Sequence, residues 1–336
     1  MSKEFHVAVV GASGVVGKEM ISILEQRNFP IHTLTLLASE RSAGQVVSFK
    51  GQATSIKVLD ENSFEGVDFA LFSAGGSISE KFAPIAKAAG AVAIDNTSFF
   101  RMHDGIPLVV PEVNGEAALA HDGIIANPNC STAQLVMALK PIYDAVGIER
   151  LVISTYQSVS GAGKDAILEL ENHSRYLLKG QNEDPQQFSH PIPFNVIPQI
   201  DVFEENGYTK EEMKMINETK KIMGDDSIKV TATAVRVPVF IGHSEAVNIQ
   251  TKKPLSADEA RQLLTAFPGV TVQDDPANKD YPTPRDCSGK DDVLVGRIRQ
   301  DISNPNGLEL WVVADNLRKG AALNTVQIAE YLANNA

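Results

Sequence analysis

The chain is short of several things, and each shortage excludes something. It has two cysteines, Cys130 and Cys287, and neither belongs to a CxxC pair. That is no disulfide framework, no metal site is expected, and the cytoplasm, where thiols stay reduced, is the expected compartment. No run approaches the roughly 18 apolar residues that a membrane span needs, so no membrane is expected. Basic residues are the minority, 30 Lys and Arg against 42 Asp and Glu, for a net charge of −12. Nucleic acid is therefore an unexpected partner, since a phosphate-binding face calls for a basic stripe. A small anionic substrate needs only a few local cations and stays open. There is no internal repeat and no low-complexity segment. The first residues, Met1-Ser2-Lys3-Glu4, run into apolar Phe5–Val10 and then a glycine turn, which reads as a strand and not as a signal peptide.

What is present is a change of texture at residue 130. At 336 residues the chain exceeds one ordinary core, so two domains are expected. Residues 1–129 alternate short apolar runs (5–10, 33–38, 68–73, 91–95) with helical patterns (15–26, 80–89). That alternation predicts an α/β domain with a parallel, doubly wound sheet, whose ligand crevice lies beyond the carboxyl ends of the strands. Residues 130–317 carry long period-two strands (149–158, 229–237, 243–252, 292–300, 308–314) and helices at 164–179, 210–223 and 256–266. They predict an α+β domain with a largely antiparallel sheet. The last segment, 318–336, reads as an amphipathic helix returning to the first domain. Residues 180–195 and 274–291 read as loops.

Two local patterns carry chemistry. The first strand runs into Gly11-Ala12-Ser13-Gly14-Val15-Val16-Gly17 and a helix follows. Glycines there allow a tight turn and close approach of backbone to a pyrophosphate at a helix N-terminus, so Gly11, Ser13, Gly14, Val15 and Val16 are expected to bind a dinucleotide. After the second strand, Arg41 with Ser39 and Ser42 suits the 2′-phosphate of NADP, while Glu40 suits the ribose of NAD; NADP is favoured. The second pattern is Asn127-Pro128-Asn129-Cys130-Ser131-Thr132-Ala133-Gln134. A cysteine that opens a helix sits among unpaired N–H groups and at the positive end of the dipole, which stabilise a thiolate. A thiolate beside a hydride donor points to covalent redox chemistry on an acyl group. Cys287 lies in a turn-rich stretch with no helix after it and reads as a bystander.

The segments GASGVVG, ASERSAG, Asn96-Thr97-Ser98-Phe99-Phe100-Arg101, NPNCSTAQ and Arg236 followed by Gly242-His243-Ser244-Glu245 occur in that order over essentially the whole chain. In this the chain resembles the bacterial aspartate-β-semialdehyde dehydrogenase family. The resemblance implies a Rossmann-like nucleotide domain, a glyceraldehyde-3-phosphate-dehydrogenase-like catalytic and dimerisation domain, and a homodimer. It implies NADPH-dependent reduction of L-aspartyl-4-phosphate to the semialdehyde, on the route to lysine, threonine, methionine and diaminopimelate. N-acetyl-γ-glutamyl-phosphate reductase shares the chemistry, but SERSAG and GHSE fit it less well. A catalytically silent binding subunit would be expected to lack the cysteine.

The resemblance also assigns residues. Cys130 is the nucleophile that forms a thioester. His243 is the acid/base, and an ordinary imidazole pKa near 6.5 would suit thiol activation and proton transfer at neutrality. Arg236, ending an apolar strand, grips the substrate carboxylate as a bidentate fork. Arg101 and Lys214 hold the phosphate, Ser98 adds a hydroxyl, and Glu211, three residues before Lys214 on one helix face, meets the amine. Gln157 reaches the substrate carbonyl or carboxylate. Asn129 orients the thiol or serves only the turn. Ser160 and Gly161 are expected near the nicotinamide end of the cofactor, and Asn316 matches the family's late cofactor contact. Arg318 and Lys319 are expected at the surface.

Overall fold

The computed structural model describes residues 3–335, so Met1, Ser2 and Ala336 of the expected domain spans lie outside it. The chain divides into two compact units, one holding the residues up to Asn129 and those from Ala321 onward, the other Cys130–Gly320.

The first unit contains β1 (Phe5–Val10), β2 (Ile31–Ala38), β3 (Val46–Phe49), β4 (Gln52–Val58), β5 (Phe69–Phe72), β6 (Val92–Asp95) and β7 (Ile124–Ala126), with α1 (Val15–Gln26), α2 (Gly76–Ala88) and the short α3 (Pro111–Asn114). Its strands run in the order β3-β4-β2-β1-β5-β6-β7. All neighbours are parallel except β3 and β4. This is the expected doubly wound, Rossmann-like sheet. Its order reverses at β1, which pairs with β2 on one side and β5 on the other, so the crevice opens where β1 ends. Val7, Val9, Leu36, Leu71 and Ile94 pack against Met20, Ile23 and Leu24 of α1 and Val326, Ile328 and Ala329 of the C-terminal helix, Leu323–Asn334. The hairpin of β3 and β4 is an addition to what the sequence predicts. It is mostly exposed, with only Phe49 and Ile56 buried, so it carries little apolar alternation. Its signal was the turn, Lys50-Gly51, where both residues take positive φ, 49° and 74°, as a two-residue hairpin requires.

The second unit contains α4 (Cys130–Val146), β8 (Ile148–Gln157), α5 (Lys164–Leu177), α6 (Lys210–Met223), β9 (Lys229–Arg236), β10 (His243–Thr251), α7 (Ala257–Ala266), β11 (Val270–Val272), α8 (Pro284–Cys287), β12 (Val293–Gln300) and β13 (Gly307–Ala314). The strand order is β11-β12-β13-β10-β8-β9. The three central pairings are antiparallel, and β11–β12 and β8–β9 are parallel. Along β10, His243, Glu245, Val247, Ile249 and Thr251 are buried while Ala246, Asn248 and Gln250 are half-open, as alternation requires. Every residue from Ser131 to Leu139 of α4 is buried, so this helix is core on all sides and packs on α6, α7 and the sheet. α6 starts on a Thr209/Glu212 capping box and stops at Gly224 in the left-handed region, φ 66°.

Two expectations fail here. The stretch 274–291 is not all loop: α8 lies in it, and Cys287 ends that turn fully buried. Arg318 and Lys319 are not surface charges but 7% and 1% exposed. They begin a π-helical turn, Arg318–Ala322, in which Gly320 packs on Cys130, and Arg318 pairs with Asp291 at 2.6 Å.

Candidate active site

In the first unit the carboxyl ends of β1, β2 and β5 border a cavity of about 550 Å³, lined by Gly11, Ser13, Gly14, Ser39, Glu40 and Arg41 and, on its apolar side, by Val58, Leu59, Ile78 and Phe82. The loop is shaped by what glycine omits. Gly11 has φ +90°, and a Cβ there would lie 2.9 Å from the Ser73 carbonyl; a Cβ on Gly17 would lie 2.2 Å from the Gly11 oxygen. The Gly14 amide donates to that same oxygen at 2.9 Å, and no side chain among the described residues caps α1. Open backbone at a helix start, polar side chains at the end of β2 and an apolar wall fit a dinucleotide. Val15, Val16 and Ser42, also expected at the cofactor, do not line this cavity. Glu40 and Arg41 are both exposed at its edge.

The Asn-Pro-Asn turn before Cys130 is held by polar side chains of the first unit. Asn127 donates to the Asn96 side chain at 2.7 Å and accepts from Asn324 at 2.7 Å. Arg101, 7% exposed, spends Nε on the Asn127 carbonyl and Nη2 on that of Asn96, both at 2.9 Å. Below it, burial lifts the Asp95 carboxyl above its usual range, although the Thr97 amide, Ser79, the Thr97 hydroxyl and Arg101 oppose the shift. Asn129 is buried and Ser98 exposed.

In the second unit, Cys130 is half-buried at the first position of α4. A Cβ on Gly320 would sit 2.7 Å from the Cys130 Cβ, so only glycine fits beside the thiol's own backbone. Gln157 and Arg236 are register partners at the ends of β8 and β9, both buried, and His243 opens β10 with no exposure. Arg236 Nη1 and His243 Nε2 converge on Gly161, 3.1 and 3.3 Å from where its Cβ would be. Burial pushes the Arg236 guanidinium below its usual value, and Glu211 and Cys130 pull it back. Burial, then the Arg236 cation, push His243 down to about 3. The ring is therefore neutral across the working pH range, and the ordinary histidine value expected from sequence does not apply. Glu245, from the same GHSE segment and the same face of β10, is also fully buried, which holds its carboxyl well above the usual range.

Glu211 and Lys214 of α6, expected at the substrate amine and phosphate, are bonded to each other. Lys214 Nζ lies 3.1 Å from Glu211 and 3.0 Å from Asp201, whose backbone is left-handed at φ 69°. Burial opposes the Lys214 charge, but Glu211 and Asp201 outweigh it and hold the ammonium above its usual pKa. Asp201 and Arg236 line a common cavity of about 270 Å³ with Ala162 and Gln199. Ser160 and Asn316 are bonded to each other, Asn316 Nδ2 donating to Ser160 Oγ at 2.9 Å. Three residues of this site were not singled out from the sequence: Ser158, Asp201 and Gly320. Ser158 had a signal, its place directly after Gln157 at the mouth of a strand. Asp201, in a loop distant in sequence, had none.

Comparison with known proteins agrees with these features. Residues 6–121 match the family described as semialdehyde dehydrogenase, NAD binding domain, and residues 139–319 the semialdehyde dehydrogenase, dimerisation domain. The chain is 58% identical to the aspartate-semialdehyde dehydrogenase of Legionella pneumophila, over 99% of this chain and 96% of that one. It is 54% identical to that of Bacillus subtilis (strain 168), over 99% and 98%. Among solved structures it is similar to aspartate semialdehyde dehydrogenase II of Vibrio cholerae complexed with ASA, with a TM-score of 0.96 and 54% identity over 99% of each chain. It is also similar to the Candida albicans enzyme with NADP, at a TM-score of 0.76 and 27% identity over 99% of each.

Proposed function

The chain belongs to the aspartate-semialdehyde dehydrogenase family, and on that premise we propose that it reduces L-aspartyl-4-phosphate to L-aspartate-4-semialdehyde, with NADPH as reductant, through a thioester on Cys130. The family fixes the class, an oxidoreductase with a nicotinamide-binding domain. The observation that carries the mechanism is the convergence of a buried guanidinium and an imidazole nitrogen on Gly161, with Cys130 near enough for its charge to act on Arg236.

The Cys130 thiolate attacks the acyl carbon, forming a C–S bond as the C–O bond to phosphate breaks. The amides at the start of α4 receive the oxyanion. When bound, a reduced nicotinamide supplies a hydride, which is what a thioester needs to reach the aldehyde level. His243 handles the proton at the oxygen of the reacting carbon, and expulsion of the Cys130 thiolate releases the semialdehyde. Arg236 grips the α-carboxylate with its planar fork. Glu211 meets the amine, and Lys214 and, by the family pattern, Arg101 supply cations for the phosphate. Gln157 reaches the substrate carbonyl or carboxylate. The residues for the cofactor are Gly11, Ser13 and Gly14 at the pyrophosphate and Arg41 with Ser39 at the 2′-phosphate. The protein acts as a homodimer in the cytoplasm, supplying lysine, threonine, methionine and diaminopimelate synthesis.

The test is the reverse reaction with phosphate and NADP. Aspartate semialdehyde should be oxidised and N-acetylglutamate semialdehyde should not, and Cys130→Ala should lose at least about 10⁴-fold of turnover. Near-normal turnover in Cys130→Ala would rule out the thioester. A preference for NAD would overturn the cofactor assignment.

A further inference from the structure

Asp201 is held by its chain between two parts of the substrate grip. The loop before it is pinned to the end of β9: the Ile197 N–H donates to the Arg236 carbonyl at 2.9 Å, and the Arg236 N–H to the Ile197 carbonyl at 2.8 Å. The loop after it is pinned to α6, where the Lys210 N–H donates to the Val202 carbonyl at 2.9 Å. One side of Asp201 is thus tied to the residue proposed for the substrate carboxylate, and the other to the helix that carries Glu211 and Lys214. Its backbone is left-handed, φ 69°, a conformation that aspartate and asparagine tolerate better than most residues. Both carboxyl oxygens are engaged, Oδ1 accepting from the Val202 N–H at 2.9 Å and Oδ2 from Lys214 Nζ at 3.0 Å. Burial opposes the charge, but Lys214, the Val202 N–H and, from the exposed start of α6, Lys210 outweigh it, so Asp201 stays a carboxylate.

Within the protein, two carboxylates share the Lys214 ammonium, Asp201 at 3.0 Å and Glu211 at 3.1 Å. The proposed substrate disturbs that sharing. Its phosphate calls on Lys214, and its α-carboxylate calls on Arg236. Glu211 acts on both of those cations, and Asp201 shares the wall of the cavity of about 270 Å³ with Arg236. Both acids therefore lose part of their counter-charge when the two cations turn to the substrate, and a half-buried carboxylate left unpaired is unfavourable. The substrate carries one cation, its α-ammonium, on the carbon next to the carboxylate that Arg236 would hold. An ammonium has three donors and no acceptor, so it can serve two carboxylates at once.

Resting on the proposed reaction, we infer that Asp201 is a second acidic ligand of the substrate α-ammonium, beside Glu211, and that Lys214 gives it up on turning to the phosphate. The two carboxylates exchange one ammonium, that of Lys214, for another, that of the substrate. Asp201 is then a specificity residue. An aldehyde whose amine is acylated or missing supplies no cation to replace Lys214, and leaves Asp201 unpaired.

The test compares two aldehydes in the reverse direction with phosphate and NADP: L-aspartate semialdehyde and succinic semialdehyde, which differ only by the amine. Asp201→Asn is the variant, since asparagine tolerates the left-handed backbone and keeps an acceptor for the Val202 N–H while losing the charge. It should lower kcat/KM for aspartate semialdehyde about 10- to 100-fold, chiefly through KM, the scale of a hydrogen bond between charged groups. Succinic semialdehyde, followed by turnover or as a competitive inhibitor, should change by less than about threefold, and the KM for phosphate should stay within about twofold. Equal losses with both aldehydes, or a rise in the phosphate KM alone, would make Asp201 a prop for Lys214 and overturn the inference. A wild type that does not oxidise aspartate semialdehyde would overturn the proposed reaction and the inference with it. An active variant with an unchanged preference would overturn the inference alone.

Discussion

The two units build their sites from opposite materials. After β1 the loop closes on its own backbone only because side chains are missing: a Cβ would meet the Ser73 carbonyl at Gly11 and the Gly11 oxygen at Gly14 and Gly17. At the ends of β8 and β9 and the start of β10 the site is made of side chains, Gln157, Ser158, Arg236 and His243, each almost fully buried. The first region should fail when atoms are added, and the second when atoms are removed. The two cysteines repeat the contrast: Cys130 is half-open at a helix start, whereas burial and then Asp315 push the Cys287 thiol up to about 12. Iodoacetamide at neutral pH should therefore label Cys130 alone.

The largest effect expected among changes that sharpen this comparison is His243→Asn, which should lower kcat about 10²- to 10⁴-fold with little change in substrate KM. Because burial and Arg236 hold the ring down at about 3, kcat/KM should show no acid limb near pH 6.5 from this residue. A limb there that disappears in His243→Asn would contradict the neutral ring. Next, Arg236→Leu should raise substrate KM about 10- to 100-fold, the scale of a charge-assisted hydrogen-bond pair, with kcat less affected; an unchanged KM would free Arg236 from the substrate.

In the glycine-built region, Gly17→Ala should raise cofactor KM at least about tenfold and lower the melting temperature, since its Cβ would meet the Gly11 oxygen at 2.2 Å. Arg41→Ala only removes atoms there, and should cost NADPH about tenfold in kcat/KM while leaving NADH nearly unchanged. Equal losses with both cofactors would remove the 2′-phosphate role.

The smallest effect concerns stability. Burial raises the Glu245 carboxyl, so the folded state keeps a proton that the unfolded chain releases above its ordinary pKa of 4.5. Both states are protonated below that value, and the cost appears as pH rises through it. Glu245→Gln should therefore raise the melting temperature at pH 7 by roughly a few degrees and have little effect at pH 4. A drop at pH 7 would mean that the carboxyl is ionised and paired.

Much of the fold was legible because the chain spells it twice, in apolar runs alternating with helices and then in period-two strands. The β3–β4 hairpin was missed because an exposed edge needs few apolar residues, and the buried Lys319 because a lysine looks the same in sequence wherever it lies. The glycine loop was readable since glycine has few other reasons to recur at that spacing. Ser158 was not. Its bond to His243 is made by a backbone N–H, which every residue but proline carries, and its hydroxyl meets Asn316, distant along the chain. The depressed His243 had the same obstacle: burial and the proximity of Arg236 are properties of the folded chain.

The most direct measurement is the mass of the intact protein, with peptide mapping, after brief incubation with L-aspartyl-4-phosphate in the absence of NADPH. An aspartyl adduct confined to Cys130, absent from Cys130→Ala and discharged on adding NADPH, is expected. An unmodified Cys130 while phosphate is released, or an adduct on another residue, would contradict the thioester.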